Sequence, residues 1–417
     1  MDSFLLLTTI TLGIAVLIGF LNEKLFHLTY EISLLLFSVL IGAGLILPAA
    51  IHNGSLMEVL QNVHVFNLET FLMNGVLCFM LYAGSCRLKL SQFREQARQV
   101  SVLAFVCTLL GALLYGFLFR LVSILLNLPF SLPVCLMFGS VTAPTDPIAA
   151  TSILNKFGLP KLTGFLMEGE SLLNDGVGVA LFVVFSGIVT AQKGGGFVAV
   201  MAREVLGAVL IGAVVTALSF LVIRNTKDKY LQILTSLFSV SCAYVLCEMF
   251  EYSGAISCVV AGVLFSTLRE REAQKGMVWE LMDFDVFWEV LDTLLNSVLY
   301  VIMGLTFVRI LQMPQVLLMS LMAILCNLLG RSGSVWAGSF LLGPIPDGFS
   351  RKNFTILFTW GGLRGGLSIA LAMSTAVMLP EETYYILLGC TYAIVFFTTV
   401  IQGLSMKKVY RMISTSV

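Results

Sequence analysis

The chain has 417 residues, and its 24 basic and 24 acidic side chains give a formal net charge of zero. Hydrophobic residues make up 58% of the chain and charged residues only 12%, and the mean hydropathy is +0.96. This composition is too apolar for a soluble domain and indicates an integral membrane protein. The balanced charge gives no information about further partners, and no nucleic-acid partner is expected.

Long apolar segments recur along the whole chain. A helix that crosses a bilayer needs roughly 20 mostly apolar residues. Thirteen segments meet this test, and their centres lie near residues 12, 41, 76, 113, 143, 178, 210, 239, 259, 298, 328, 366 and 395. Because the runs are long and show no β-type alternation, spanning helices are favoured over a barrel. The predicted fold class is an all-α polytopic membrane protein with 13 transmembrane helices.

Lys and Arg residues are distributed unevenly between these segments. Most of the 24 lie in one set of connections, which the positive-inside rule places in the cytoplasm. The N-terminus is therefore expected outside and the C-terminus in the cytoplasm, in a plasma (inner) membrane. The first segment lacks a basic region before it and is expected to remain as an anchor. The nine Cys lack CxxC spacing and are expected to be packing thiols, so no cofactor is predicted.

Two of the predicted helices carry residues that interrupt a helix. Segment five contains Pro144 and Pro147, which remove backbone donors. Segment twelve contains four glycines around Arg364, which weaken a helix. The two segments are seven crossings apart and run in opposite directions, as in an inverted-repeat secondary transporter whose broken helices mark the binding site. The alternative is that Pro and Gly are simply commoner in membrane helices.

The ends of broken helices carry partial charges that need partners in a low dielectric. Asp146 beside the first interruption, and Arg331 and Arg364 at or near the second, are the predicted counter-charges. None of them is thereby assigned to ion binding.

Segment six carries acidic residues where lipid is expected. A carboxylate near mid-membrane costs from about 2.5 to well above 10 kcal/mol, so Asp175 is interpreted as an ion or proton site. Ser171 and Asp175 lie about 40° apart on a helix, whereas Glu170 and Asp175 lie about 140° apart. Ser171 and Asp175 are therefore assigned to the ion path, and Glu170 and Asn174 form a second stripe.

Glu170 on that second stripe is expected to form a buried ion pair with Arg331 or Arg364, and the sequence leaves this choice open. Glu168 lies on the face of Asp175, two turns nearer the cytoplasm, where it could line an access path. Glu289 and Asp292 begin segment ten and are expected to be solvated or capping.

Several of these residues form motifs that resemble those of the NhaP/NHE-type cation:proton antiporters over nearly the whole chain. The motifs are Thr145-Asp146-Pro147, Glu170-Ser171 with Asn174-Asp175, Phe287-Trp288-Glu289 leading to Asn296-Ser297 and Gly304-Leu305, Arg331, and Trp360-Gly361-Gly362-Leu363-Arg364-Gly365-Gly366.

The resemblance implies an NhaA-like fold, a homodimer in the lipid bilayer, and exchange of Na⁺ or Li⁺ for H⁺. It divides the chain into four parts. Residues 1–96 form the scaffold and dimerisation helices 1–3, and residues 97–192 form the first half of a core transport bundle, with helices 4–6. Residues 193–310 form the linker and dimerisation helices 7–10, and residues 311–417 form the second half of the core, with helices 11–13 and a short cytoplasmic tail.

The family pattern implies that Asp175 takes either Na⁺ or H⁺, with Ser171 and the Thr145 backbone as further Na⁺ ligands. Asn174 is predicted to belong to the same cation- and proton-binding set. Asn174 stands where electrogenic relatives carry an acid, and Arg331 where they carry lysine, so electroneutral exchange is expected. One departure concerns an acidic position of segment three, which here holds Tyr82. Tyr82 is interpreted as part of the access path, and the cation preference stays open.

Other classes of function fit less well. An intramembrane aspartyl protease requires a Gly-x-Gly-Asp run and a zinc protease a His-Glu-x-x-His run, and the sequence has neither. No enzyme activity is therefore predicted. A K⁺/H⁺ or other cation/H⁺ antiporter of the same fold is the main alternative, and an ion channel is a weaker one.

Overall fold

A computed structural model of the chain describes residues 3–51, 76–86, 90–128, 130–146, 148–155, 158–190, 197–275, 282–311 and 314–414. Within these ranges the regular secondary structure is entirely helical, as predicted. Pro147 and the residues before position 76 in the predicted third span lie outside the described residues.

The described α-helices are numbered in chain order. They are α1 Ser3–Leu21, α2 Tyr30–Ile51, α3 Leu77–Ser85, α4 Leu90–Ser101, α5 Thr108–Leu125, α6 Leu132–Val141, α7 Ile148–Asn155, α8 Lys161–Thr190, α9 Phe197–Asn225, α10 Lys229–Met249, α11 Gly254–Gln274, α12 Met282–Leu311, α13 Pro314–Ser339, α14 Arg351–Trp360, α15 Gly366–Met373, α16 Glu381–Phe396 and α17 Gly403–Ser414. Turns of π-helix at Asn22–Phe26, Val102–Cys107 and Phe397–Gln402 extend α1, α4 and α16.

Eight helical stretches in the described part of the chain are long and apolar enough to cross a membrane, judged by length and composition. They are Thr9–Phe26, Gln96–Leu125, Lys161–Thr190, Arg203–Asn225, Lys229–Met249, Asp283–Phe307, Gln315–Ser339 and Glu381–Ser414. Shorter apolar helices include both Leu132–Val141 and Gly366–Val377, which lie beside the predicted interruptions. The total of thirteen crossings stays a prediction.

The helices pack in two groups. In the first group α12 lies along α2 and contacts α1 and α3, while α9, α10 and α11 pack against one another and α11 reaches α3. In the second group α13 packs against α5 and α16, and α6 packs between α5 and α8. Helix α14 packs against α13, and α15 packs against α16, so the functional motifs of segments five, six and twelve all fall in the second group.

The two predicted interruptions lie next to each other in this second group. Helix α6 ends at Val141 before α7 begins at Ile148, and α14 ends at Trp360 before α15 begins at Gly366. The amide of Asp146 donates a hydrogen bond of 2.8 Å to the carbonyl of Leu363, so one interrupted segment bonds directly to the other.

Glycine allows the backbones of α5 and α6 to approach closely. A methyl group built at Gly139 on α6 would overlap the backbone carbonyl of Ala112 on α5. Since this obstacle is backbone and not a flexible side chain, the two helices would have to separate to accept any larger residue. The close contact thus fixes the helix that leads into the first interruption.

We expect Gly139→Ala to lower the stability of the protein by about 1–3 kcal/mol, because it overpacks a backbone contact. Thermal unfolding in detergent, followed by tryptophan fluorescence, measures the effect. Gly44→Ala is the matched control, since nothing lies within 4 Å of a methyl group at Gly44. Equal midpoints for the two variants would contradict this account of the contact between α5 and α6.

Candidate functional site

Asp175 lies in the middle part of α8 and is half-buried. Its carboxylate faces α3, where a methyl group built at Gly84 would lie 4.0 Å from Oδ2. Among the residues that the structure describes, none forms a hydrogen bond or an ion pair with this carboxylate. The charged groups that act on it are the acids Asp146 and Asp292. The oxygens of Asp175 are therefore available to a ligand.

Three hydrogen bonds between Thr145 and side chains of α8 hold the first interruption against this helix. The Asn174 amide donates from Nδ2 to Thr145 Oγ1 at 2.7 Å and accepts from the Thr145 backbone N–H at Oδ1, at 3.2 Å. The Ser171 hydroxyl donates to the Thr145 carbonyl oxygen. All three residues are buried. The neutral Asn174 thus satisfies the open backbone of the interruption, while the Thr145 carbonyl keeps a second lone pair.

Glu170, five residues before Asp175, has a different environment. Its two carboxylate oxygens accept from Arg331 Nη1 at 2.5 Å and from Nη2 at 2.9 Å. Arg331 Nε also donates to the carbonyl oxygen of Phe358, at 3.3 Å. Both side chains are almost fully buried. The sequence left open whether Glu170 pairs with Arg331 or Arg364. In the structure its partner is Arg331, in a bidentate ion pair that neutralises both charges.

Arg364 reaches from the second interruption to the first. Its Nη1 donates to the carbonyl oxygens of Ala143 and Pro144 at 2.6 and 2.8 Å, and its Nη2 donates to Asn327 Oδ1 at 3.0 Å. The two carbonyls follow the carboxyl end of α6, where the helix dipole is negative. A cation from one interruption therefore neutralises the helix end at the other.

Asp146 has the reciprocal position at the amino end of α15. A methyl group built at Gly365 would lie 3.1 Å from Asp146 Oδ2, so the carboxylate approaches the residue that precedes α15. The amino end of a helix carries a partial positive charge, which favours an anion.

The sequence interpretation missed a polar contact on α12. Asn296 Nδ2 donates to Asp292 Oδ1 at 3.1 Å, and Asn296 Oδ1 lies directly against Gly366 at the start of α15. From the sequence, Asp292 is expected to be solvated or capping. Because α12 begins at Met282, Asp292 is about 15 Å along the helix at 1.5 Å per residue. The spacing of four residues between Asp292 and Asn296 was the signal for a shared polar face.

The two residues predicted for the access path differ in exposure. Glu168 is exposed. Tyr82 is only 1% exposed, and its ring packs against Trp288 and Phe265, with centroids 4.6 and 6.3 Å away. In this conformation Tyr82 therefore belongs to an aromatic cluster and does not line an open path.

The candidate ligands of the site are oxygen atoms, and those of Asp175 belong to a carboxylate without a hydrogen-bond partner among the described residues. Asp175 Oδ atoms, the Thr145 carbonyl oxygen and the Ser171 hydroxyl oxygen belong to the hard donors that small hydrated cations prefer. Among the described residues, no group of three or more His, Cys, Asp or Glu side chains could hold a metal ion. The arrangement suits weak, exchangeable binding of a cation or a proton.

Comparison with known proteins identifies the family to which the chain is similar. A family model described as the transmembrane part of the sodium/hydrogen exchangers matches residues 5–411. The Na⁺/H⁺ antiporter NhaP of Pseudomonas aeruginosa is 28% identical over 367 residues, which are 86% of this chain and 84% of that protein. The Na⁺/H⁺ antiporter NhaH of Halobacillus aidingensis is 31% identical over 340 residues, 80% of each chain.

The solved structure of the sodium proton antiporter MjNhaP1 from Methanocaldococcus jannaschii has the same fold. It superimposes with a TM-score of 0.77 over 97% of this chain and 100% of that chain, at 19% sequence identity. The chain therefore has the all-helical polytopic membrane fold that its hydropathy predicts.

Replacement of Glu170 by Gln is expected to destabilise the protein by about 3–5 kcal/mol, since it leaves Arg331 buried without its anion. Thermal unfolding in detergent measures the loss. Glu289→Gln, an exposed acid on α12, is the control and should leave the midpoint unchanged. The double change Glu170→Gln with Arg331→Gln should recover part of the loss, and the absence of any recovery would argue against this pair as the cause.

Proposed function

The chain belongs to the sodium/hydrogen exchanger family, and on that premise we propose that it is an Na⁺/H⁺ antiporter in which both ions use Asp175. The observation that supports this most is the contrast between two acids on one helix. Glu170 is neutralised by Arg331, whereas Asp175 has no protein partner among the described residues. A carboxylate at membrane depth without a counter-ion is stable only when it carries a cation or a proton.

The exchange follows from competition for one group. Ionised Asp175 binds a partly dehydrated Na⁺ together with the Thr145 carbonyl oxygen and the Ser171 hydroxyl oxygen. The Ser171 hydroxyl donates a hydrogen bond to the Thr145 carbonyl oxygen, so the lone pairs of the hydroxyl oxygen are free to face the ion. Protonation of Asp175 removes the negative charge that the cation needs. One site then carries one Na⁺ in one direction and one H⁺ in the other, which is electroneutral.

The interrupted helices give this site a fixed frame. We assign them as the crossing helices of an inverted repeat with thirteen spans, in which Arg364 and Asp146 neutralise the opposed helix ends. The core transport bundle consists of residues 97–192 and 311–417, and it moves against scaffold and dimerisation helices in residues 1–96 and 193–310. The helices of each group pack mainly against members of the same group, which supports this division.

The assembly and orientation follow from the same proposal. The protein forms a homodimer, its N-terminus lies outside and its C-terminus lies in the cytoplasm of the plasma (inner) membrane. The exposed carboxylate of Glu168, two turns before Asp175 on α8, lies on the cytoplasmic side of the site in this orientation. It contributes a negative charge to the path by which cations enter.

Replacement of Asp175 by Asn is expected to abolish coupled exchange, because the amide binds neither ion as a carboxylate does. A pH-sensitive dye in proteoliposomes with an imposed pH gradient measures proton movement when Na⁺, Li⁺ or K⁺ is added. Glu382→Gln, an exposed acid in the first turn of α16, is the matched control. Proton movement by Asp175→Asn in response to Na⁺ would refute the assignment.

The same assay distinguishes the related functions. A response to K⁺ alone would identify a K⁺/H⁺ antiporter of this fold. Addition of valinomycin with K⁺ clamps the membrane potential, and an electroneutral exchanger should keep its rate. Current without coupled proton movement would identify a channel.

Competition also predicts how Na⁺ dependence changes with pH. As the pH falls, more Asp175 is protonated, so the apparent KM for Na⁺ should rise, by about tenfold per pH unit once the protonated form dominates. The maximum rate at saturating Na⁺ should stay nearly constant on the side from which Na⁺ binds. Initial rates over a grid of Na⁺ concentration and pH measure both constants. A KM that is independent of pH would exclude a shared site.

A further inference from the structure

A small polar cavity lies between α5, α6 and α13, next to the interrupted helices. Tyr115, Thr142, Asn327, Arg331, Ser334 and Arg364 are among the residues that line it. Its water-accessible volume is about 10 Å³, which is room for about one water molecule. The proposed ion exchange at Asp175 makes no use of this cavity.

Two polar atoms at the cavity lack a partner among the described residues. They are the hydroxyl oxygen of Tyr115 and Nε of Arg364. Tyr115 is 2% exposed and Arg364 is 4% exposed, so bulk solvent cannot satisfy them. A buried polar group without a hydrogen bond is costly. Because both residues line the same small cavity, one ligand in it can serve both atoms.

The chemistry of the lining selects water as that ligand. Arg364 Nε–H can only donate, whereas the Tyr115 hydroxyl can donate or accept. Thr142 Oγ1 donates to carbonyls of its own helix and still has a lone pair that can accept. A ligand that accepts from Arg364 and also exchanges hydrogen bonds with hydroxyl groups, in so small a space, is a single water molecule.

Tyr115 is held in a rigid position. Its ring stacks on Phe119 with centroids 5.7 Å apart and meets the edge of Phe138 at 5.2 Å. The packing of the ring therefore fixes the position of the hydroxyl group to which the guanidinium can be linked.

We propose that one buried water molecule bridges the Tyr115 hydroxyl and Arg364 Nε, and that Tyr115 is thereby a positioning residue for the ion site. The inference rests on the proposed function of Asp175. Arg364 holds the carbonyls of Ala143 and Pro144, which directly precede the Thr145 carbonyl. The water-mediated hydrogen bond from Arg364 Nε to Tyr115 holds the guanidinium in place, and the guanidinium in turn holds the carbonyls of Ala143 and Pro144. The orientation of the Thr145 carbonyl, which faces the cation, depends on theirs.

Tyr115→Phe tests this role, because it removes the hydroxyl and keeps the ring. We expect the apparent KM for Na⁺ to rise about three- to tenfold, the effect of one hydrogen bond, with a maximum rate within about twofold of the wild type. Tyr392→Phe is the control, since Tyr392 is equally buried and lies outside the cavity lining. A KM for Tyr115→Phe equal to that of Tyr392→Phe would overturn the proposal.

A double-mutant cycle tests whether the effect passes through Arg364. Arg364→Lys removes Nε as a donor, so Tyr115→Phe should raise the KM no further in that background. Additive effects would show that Tyr115 acts elsewhere. If Arg364→Lys is inactive, the comparison of the KM of Tyr115→Phe with that of Tyr392→Phe still tests whether Tyr115 is a positioning residue.

An experimental density map that shows ordered water gives a readout independent of transport. It should contain one water within hydrogen-bonding distance of both the Tyr115 hydroxyl and Arg364 Nε, and a map without it would overturn the bridge. Wild-type protein that shows this water but no Na⁺-driven proton movement would contradict the antiporter function alone. Wild-type exchange with an unchanged KM in Tyr115→Phe would contradict the positioning role alone.

Discussion

A helix can be interrupted inside a lipid bilayer only where the freed backbone groups find partners within the protein. In this chain the two interruptions supply those partners to each other. The Asp146 amide donates to Leu363, and the Arg364 guanidinium donates to the carbonyls of Ala143 and Pro144. These bonds join segments more than 200 residues apart in sequence, so each interruption depends on the other for these partners. The geometry of the proposed ion site depends on this crossing.

On this frame the side chains of α8 divide into two roles. One stripe is structural, because Glu170 is bound to Arg331 and Asn174 is bound to Thr145. The other stripe presents Ser171 and Asp175 to the space beside the interruption. Helix geometry alone creates this division, since neighbouring positions on a helix point about 100° apart. Two acids five residues apart can therefore differ completely in charge environment.

Much of this arrangement follows from local rules that a sequence displays. Hydropathy identifies the membrane fold, prolines and glycines locate the interruptions, and the helical period separates Glu170 from Asp175. The partner of Glu170 could not be predicted from the sequence. Arg331 and Arg364 are both expected near the second interruption, and only the packing of the helices places one of them against α8.

Other features escaped prediction for a related reason. The approach of Asn296 to Gly366 depends on how α12 crosses α15, which no local pattern encodes. Tyr82 is predicted to line the access path, yet aromatic neighbours from other helices bury it. The cavity at Tyr115 likewise arises where three helices meet. Contacts between distant segments decide such features, whereas periodicity within one segment decides the rest.

The balance of charge around the site also explains how leakage is avoided. Glu170 with Arg331 forms a neutral pair, and Asp146 and Arg364 each face a helix end of opposite sign. Asp175 differs from them, because it has no protein partner of opposite charge among the described residues. A core that moved with Asp175 ionised and empty would carry an uncompensated carboxylate through a low-dielectric contact, at a cost of several kcal/mol. In the proposed mechanism, movement is therefore favoured only when Asp175 carries Na⁺ or H⁺, and this restriction couples the two fluxes.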